Sequence, residues 1–187
     1  MEKYNLDKFI NATLFFVKKK VKKLGITKLN KLLYYSDFEH YRLYGRPILG
    51  DNYKRMEHGP VPKRSYNIFN ENFKNNTDDS LKNAIYLRLE EFSYDKETKV
   101  IVAKRKPDLS FFSKSEIDVM ENVAFIWKDV MAETATYQSH LEKPWKETPK
   151  FQDIDYKLAL NDSPDSVSRE YLEYQEKEDL LLRESFI

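Results

Sequence analysis

The chain has 187 residues, of which 41% are hydrophobic and 34% are charged, which is enough apolar material for one compact core under a strongly charged surface. A formal net charge of +1 lacks the basic excess of a dedicated nucleic-acid binder, and the absence of cysteine excludes disulfide scaffolds, thiol nucleophiles and cysteine-ligated zinc. Having only four glycines argues against glycine-rich phosphate loops and against a turn-dense all-β fold.

Two amphipathic helices are predicted at the start of the chain. Apolar residues recur at three- and four-residue steps over 5–24, and Gly25 would end this helix in the left-handed conformation. Thr27 would then cap a second helix over about 28–44, which Gly45 would close. The N-terminal third is therefore predicted to be a helical hairpin.

The segment EHGPVPKRSY at 57–66 combines a histidine, a glycine and two prolines. Residues 48–57 are predicted to be extended on the way into it. Gly59 would let the backbone turn. Pro60 would start a helix that runs to about Phe73, because the N–H at the first position of a helix has no partner within the helix and proline lacks an N–H.

The strongest β signal lies in the middle of the chain, after a predicted polar loop at 74–83. The segment AIYLRLEEFSYDKETKVIVAKRK alternates apolar and polar residues on both sides of the turn sequence YDKETK. This pattern predicts an antiparallel hairpin. The residues predicted to share its inner face are Ile85, Leu87, Leu89, Val100 and Val102.

Two further helices are predicted before the C-terminal region. Ser113 and Glu116 form a capping box that would open a helix over about 114–131. A short helix over about 134–142 would follow behind Thr134. The predicted buried stripe of the first of these helices consists of Ile117, Met120, Ala124, Trp127 and Met131.

The C-terminal region is predicted to contain a loop over 144–165 and a charged helix over about 167–184 that packs through Tyr171, Tyr174 and Leu181. The fold class expected from all these elements is α+β and predominantly α-helical. It would be a compact helical domain with one small antiparallel β-hairpin.

Charge is distributed unevenly along the chain. Residues 1–33 hold nine lysines against two acids, whereas residues 163–187 hold seven acids against three basic residues. These runs indicate either two solvated faces that attract each other or two oppositely charged partner surfaces. A nucleic-acid-binding co-regulator would use the lysine-rich first helix, but Asp37 and Glu39 on the second helix would repel phosphates.

Sequence motifs for catalysis or metal binding are not evident. His40, His58 and His140 are too far apart for a local zinc motif. Ser139 and His140 are neighbours whose side chains point about 100° apart on a helix, so they cannot act as a nucleophile and its base. We therefore expect no enzyme activity, no cofactor and no metal. A small hydrolase with a histidine-lined pocket is the alternative.

Three segments in this order resemble the Panacea antitoxin domain, also called the SocA-like or GepA-like phage-associated domain. They are KLNKLLYYSDFEHYRLYGRPIL at 28–49, EHGPVPKRSY at 57–66 and SHLEKPWKE at 139–147. The matching residues are Lys31, Leu32, Leu33, Tyr34, His40, Tyr44, Gly45, Pro47, Gly59, Pro60, Val61, His140, Pro144 and Trp145. His58 departs from the family pattern, which has a tyrosine at this position.

The resemblance covers about residues 5–150 and implies a bacterial or phage antitoxin that neutralises a toxin by direct binding. In one branch of the family the domain is an adaptor that delivers the toxin to a AAA+ protease. We accordingly expect an antitoxin domain at 1–150, with the loop and charged helix of 151–187 packed on it or extending it. A phage-associated protein that binds another host or defence factor is the wider alternative.

The partner is expected to be a protein, met in the cytoplasm, because a chain without cysteine or a membrane-length apolar run fits that compartment. The residues expected to bind it are Arg55, Glu57, His58, Tyr66, His140 and Trp145, although Trp145 would alternatively cover the core beside Pro144. The residues expected to build the scaffold are Leu33, Tyr34, His40, Gly45, Gly59, Pro60, Val61 and Pro144.

Overall fold

The computed structural model describes residues 4–70, 79–93, 96–161 and 164–184. Its α-helices are α1 Leu6–Lys18, α2 Ile26–Tyr44, α3 Lys63–Asn70, α4 Asp79–Ala84, α5 Lys114–Trp127, α6 Ala132–Leu141, α7 Lys143–Glu147 and α8 Arg169–Glu184. Its strands are β1 Tyr53–Met56, β2 Gly59–Pro62, β3 Ile85–Ser93 and β4 Lys96–Ala103. Short 3₁₀ helices cover Leu109–Phe111 and Tyr156–Ala159. The predicted α+β, predominantly helical class is confirmed.

Helix α2 lies at the centre of the molecule and is buried on almost every side between Lys28 and Tyr41. It packs against α5, α6, β2 and the 3₁₀ helix at Tyr156–Ala159. The core around it is rich in aromatic rings, whose large buried surfaces dominate core energetics. The fully buried rings are Phe9, Phe15, Phe16, Tyr34, Tyr53 and Phe69.

The first helix is shorter than predicted, because α1 ends at Lys18. Lys20 and Lys23 then take positive φ angles of 58° and 49°, which no α-helix contains. Val21 stays buried although it is outside the helix, so its helical spacing was misleading. Gly25 does not end α1 either: with φ −90° and ψ 177° it is the extended N-cap of α2.

The two ends of α2 differ in how well the sequence predicted them. The helix begins at Ile26, so Thr27 lies in its first turn and is not the N-cap. At the other end Gly45 has φ +73° and donates its N–H to the carbonyl of Tyr41, as predicted. Glycine is needed here for a second reason as well, because a Cβ would run into Leu172 of α8.

The predicted helix start at Pro60 is wrong. Pro60 lies in β2, which pairs antiparallel with β1 so that Met56 faces Gly59, and α3 begins only at Lys63. A two-stranded hairpin tolerates proline because each strand has an edge that needs no ladder N–H. The turn at Gly59 is confirmed, with φ +90°. The predicted helix end at Phe73 lies outside the described residues.

The hairpin predicted in the middle of the chain is confirmed as β3 and β4. Its predicted turn, YDKETK at 94–99, is too long: residues 96–99 belong to β4, and residues 94–95 lie outside the described residues. Its register differs from the expected one, because Leu87 faces Ile101 and Ile85 faces Ala103. Val100 and Val102 therefore lie on the opposite face. Part of the predicted polar loop at 74–83 is helical as α4, and the rest lies outside the described residues.

The capping box that opens α5 is confirmed: the side chains of Ser113 and Glu116 each accept a backbone N–H of the other residue. The helix ends at Trp127, and Met131 is the exposed N-cap of α6 instead of a member of the buried stripe. Thr134 consequently lies inside α6. The predicted loop at 144–165 is interrupted by α7 and a 3₁₀ helix.

Helix α8 packs by a different face from the predicted one. Tyr171, Tyr174 and Leu181 are exposed, whereas Leu172 is buried against Tyr41 and Leu160. Neighbouring positions on a helix point about 100° apart. The packed face, which contains Leu172 and not Tyr171, is therefore rotated by about this angle from the predicted one.

Residues beyond the predicted domain boundary at 150 contribute to the same core. Ile154 is buried in it, and Asp153 forms an isolated bridge with Lys54 of β1. The boundary itself stays a prediction. Among the described helices, none is both long and apolar enough to cross a lipid bilayer.

Candidate functional site

The tight turn between β1 and β2 rests directly on a buried lysine. A Cβ on Gly59 would lie 2.7 Å from Nζ of Lys31 and 2.8 Å from Oγ of Ser139, so only glycine permits this approach. Lys31 donates to the carbonyl of Pro60 at 2.9 Å, and Ser139 donates to the carbonyl of Thr136 at 2.7 Å. The hairpin is thereby held against both α2 and α6.

The burial of Lys31 was not expected, because the lysines of residues 1–33 were predicted to form a basic surface. This side chain is 1% exposed, and within the described part of the chain the carbonyl of Pro60 is its hydrogen-bond partner. Burial without a carboxylate partner lowers the pKa of Lys31 to about 7. The amine can therefore change its charge near neutral pH.

Replacing Lys31 with methionine is expected to remove part of a rise in stability with pH. The pKa of Lys31 is about 7 in the folded protein against 10.5 for an exposed lysine. Between these values the unfolded chain binds more protons than the folded chain, so the free energy of unfolding rises with pH. From about pH 7 to about pH 9 this group should add roughly 2 kcal/mol.

Chemical denaturation of both proteins across that pH range measures this contribution. Lys28→Met is the matched control, because Lys28 is equally buried but donates to two carbonyls, those of Lys22 and Lys128, and its pKa is about 8. The control should lose a smaller part of the rise. Equal pH slopes in the wild type and Lys31→Met would contradict the prediction.

Three of the predicted binding residues form one stack. The guanidinium of Arg55 lies 4.0 Å from the ring centroid of Trp145, and the ring of His140 stacks on Trp145 at 4.0 Å and 21°. Arg55 also donates to the carbonyl of Thr148, and the indole N–H donates to the carbonyl of Met56 at 3.4 Å. Trp145 is only half-buried, so it both covers the core and faces solvent.

The imidazole of His140 is kept neutral by this environment. Burial lowers its pKa, and the nearby basic groups of Lys31, Arg55 and His58 lower it further. Its Nε2 atom is buried and has no hydrogen-bond partner in the described part of the chain. The stack thus presents a planar, largely uncharged surface beside the Arg55 cation.

The other three predicted binding residues line a cavity next to the stack. Glu57 and His58 at the hairpin turn and Tyr66 on α3 surround a volume of about 580 Å³ together with Lys31. Exposed apolar side chains lie at the same cavity, including Phe151 from the segment after α7. The β1–β2 hairpin therefore separates two adjoining sets of predicted residues.

Several residues expected to form the scaffold are buried or make hydrogen bonds between elements. Leu33 and Pro144 are buried, and the buried Tyr34 donates its hydroxyl to Glu142 at 2.7 Å. The ring of His40 is buried between the carbonyl of Arg46 at 2.6 Å and Ser115 at 3.1 Å.

The remaining scaffold residues, Gly45, Gly59, Pro60 and Val61, lie at the end of α2 and in the first hairpin. The three histidines occupy different settings: a buried polar contact, an exposed turn and a ring stack. Within the described residues, no group of three or more acidic or histidine side chains is placed to hold a metal ion.

A buried carboxylate network was missed by the sequence analysis. Asp37 is fully buried and accepts the backbone N–H groups of Ile48 and Leu49 at 2.9 and 2.6 Å. Its other oxygen accepts the hydroxyls of Tyr53 at 3.0 Å and Tyr156 at 3.2 Å. Burial raises the pKa of Asp37 to about 6, although these hydrogen bonds oppose the rise.

Asp51 extends the network to the start of α3. Its carboxylate accepts the N–H groups of Arg64 and Ser65 and the hydroxyl of Ser65, so it caps that helix from a distance. Its backbone carbonyl accepts the hydroxyl of Tyr156 at 2.8 Å. A signal for Asp37 was available, because it stands four residues after the buried Leu33 on an apolar helix face.

A second cavity of about 440 Å³ lies between α2, α5 and α7. Tyr35 and Trp127 stack there at 4.5 Å and 13°, and Glu142 and the exposed Ile126 also line it. Burial raises the pKa of Glu142 to about 7. Pro144, one of the residues expected to build the scaffold, lines this cavity, as do Glu39 and Trp127.

The lysine-rich start of the chain does not form the exposed helical patch that nucleic-acid binding would use. The side chains of Lys8, Lys19 and Lys22 pair with acidic residues near or on α5, at 2.6 to 2.8 Å. Those acids are Glu116, Glu121 and Asp129. Lys28 and Lys31 are buried. Three lysines of the basic start are thus paired with acidic residues of α5 or next to it.

Comparison with known proteins adds one finding to this geometry. Residues 29–146 match the family model described as Antitoxin SocA-like, Panacea domain. Searches of curated proteins and of solved structures find no significant match. The matched range contains the hairpin, Lys31 and the Arg55–Trp145–His140 stack, whereas α1 and α8 lie outside it. Because the match spans well over half of the chain, this protein belongs to the SocA-like antitoxin family with the Panacea domain.

Proposed function

We propose that this protein is an antitoxin that neutralises a protein toxin by binding it directly. Family membership supports a role of the toxin–antitoxin type. The main support for the proposed binding face is the β1–β2 hairpin, which packs tightly on Lys31. The Trp145 stack lies on one side of this hairpin and the Tyr66 cavity lies on the other. We call the surface formed by the Trp145 stack and the Tyr66 cavity the hairpin face.

The hairpin face has the composition of a protein-binding surface. Tyrosine, tryptophan and arginine supply most binding hot spots, and Tyr66, Trp145 and Arg55 lie around one turn. The side chains of Arg55 and Trp145 are already held in place by hydrogen bonds, which lowers the entropy lost on binding. We propose that the protein acts by this contact alone, without catalysing a reaction, and that the absence of cysteine favours an encounter in the cytoplasm.

Tyr66→Ala is expected to weaken binding of the toxin by about tenfold to a hundredfold, because an exposed tyrosine at the centre of an interface loses most of its contact area. The test is co-expression with the product of the adjacent reading frame, followed by titration of the purified pair. Tyr137→Ala is the matched control: Tyr137 is 61% exposed on α6, against 41% for Tyr66, and does not line the cavity.

Rescue of growth that is weakened by Tyr66→Ala but not by Tyr137→Ala would support the proposal. A toxin neutralised equally well by both variants would place the interface elsewhere. The lifetime of the toxin separates direct inhibition from proteolytic delivery, since an adaptor shortens that lifetime whereas a binding antitoxin does not. If no neighbouring product is neutralised and another host or phage protein binds the hairpin face, the wider alternative replaces the antitoxin role.

A further inference from the structure

The cavity beside the hairpin has an uneven charge. Its cationic lining side chains are Lys31, Lys54 and Lys63, to which His58 adds a fourth basic group, and Glu57 is its acidic one. Neither Lys54 nor Lys63 makes an ion pair within the described part of the chain. The excess of positive charge is therefore free to act on a ligand.

The inner lining of the cavity holds polar groups with spare hydrogen-bonding capacity. An ammonium has three donors, and Lys31 uses one of them on the carbonyl of Pro60. The side-chain oxygen of the adjacent Asn30, also almost fully buried, has no partner among the described residues. Because an amide carries both donors and an acceptor, rotation of this group would let it donate to an anion as well.

The edge of the same cavity is apolar. Met56, Tyr66 and Phe151 are exposed there, and the half-buried Val61 lies between the elements that carry them. A ligand that fits has to combine one small anionic group with apolar neighbours. An acidic side chain within an apolar peptide segment has this combination, whereas phosphate groups are preferentially bound by arginine clusters, and none of the described arginines lines the cavity.

We infer that this cavity binds an acidic side chain of the protein partner, with its carboxylate on the Lys31 amine and its apolar neighbours on Met56, Tyr66 and Phe151. The inference rests on the proposed function for the kind of partner, and it specifies the chemistry of that partner's anchor. A carboxylate would add a charged acceptor to the Pro60 carbonyl that the buried amine already uses, and a charge-assisted hydrogen bond of this kind is stronger than a neutral one.

The experiment titrates the full chain with three short capped peptides that differ at one position, Phe-Glu-Leu, Phe-Gln-Leu and Phe-phosphoserine-Leu. Nuclear magnetic resonance of isotope-labelled lysine side chains follows Lys31 directly in the wild-type protein. The glutamate peptide should shift the Lys31 signal and bind about tenfold or more tightly than the glutamine peptide, since only the former brings a charge. Lys31→Met should remove this preference, and Lys28→Met should keep it.

Several results would overturn the inference: equal binding of the glutamate and glutamine peptides, a preference for phosphoserine, no binding, or a Lys31 signal that does not move. The Lys31 signal in the wild-type protein decides the matter even if Lys31→Met does not fold. The proposed function is tested separately by toxin rescue. Rescue without selective glutamate binding would remove this anchor alone, and selective binding without rescue would remove the antitoxin role alone.

Discussion

Asp37→Ala is expected to lower the free energy of unfolding by about 4 kcal/mol, because it leaves several buried donors without an acceptor. The donors are the backbone N–H groups of Ile48 and Leu49 and the hydroxyl of Tyr53, whereas the hydroxyl of Tyr156 keeps the carbonyl of Asp51 as an acceptor at 2.8 Å. The loss should also loosen the segment that leads into β1, since Asp37 holds both residues that follow Pro47 in that connection.

Chemical denaturation with tyrosine fluorescence measures this effect. Asp129→Ala is the matched control: Asp129 is an exposed carboxylate that pairs with Lys22 at the surface, so its removal should change stability little. Asp37→Asn keeps one acceptor oxygen and should fall between the control and the alanine variant. A small loss in Asp37→Ala, comparable to that of the control, would show that water replaces the buried carboxylate without penalty.

Gly59→Ala is expected to destabilise the protein by about 3 kcal/mol and to abolish partner binding. The backbone at this position has φ +90°, and the added Cβ would press on Lys31 and Ser139. Lysine ends are mobile in general, but this one is enclosed and would have to give up its bond to Pro60. The β1–β2 hairpin would therefore move away from α2 and α6.

Gly50→Ala separates the two causes of this loss. Gly50 also has a positive φ, of +63°, but its nearest neighbour to an added Cβ is Pro47 at an ordinary 3.5 Å. The substitution Gly50→Ala should lower the free energy of unfolding only by the strain of the left-handed conformation, about 1 kcal/mol. Denaturation curves and toxin titrations of both variants give the comparison. If both glycines cost the same, close packing of the turn on Lys31 contributes nothing to stability.

The predictions that agree with the structure rest on interactions between residues close in sequence. The capping box of α5, the left-handed Gly45 and the alternation in β3 and β4 need no knowledge of distant parts of the chain. The family motifs behave in the same way, because they are short patterns, and the family match over 29–146 confirms them as a set. For the proposed binding face, the sequence could identify Arg55, Trp145 and His140 as candidate binding residues, but not their stacking.

The errors occur where two local solutions have similar energy. A Gly-Pro-x-Pro segment suits the first turn of a helix as well as an edge strand, and the approach of Gly59 to Lys31 and Ser139 selects the strand. Apolar spacing over 5–24 suits a longer helix, yet Val21 is buried in a loop in which the N–H of Lys22 donates to the carbonyl of Lys128. On α8, contact with Tyr41 selects Leu172 and leaves the tyrosines outside.

The amino-acid sequence by itself determined the mostly helical class, the local caps and turns, and membership of the antitoxin family, because these depend on patterns a few residues long. The tertiary structure alone decided that Lys31 and Asp37 are buried and that the first hairpin lies between the Trp145 stack and the Tyr66 cavity. The physical reason is that desolvation depends on what distant segments bring into contact. From the sequence alone, a lysine or an aspartate is predicted to lie at the surface. Only tertiary packing shows that such a side chain is desolvated.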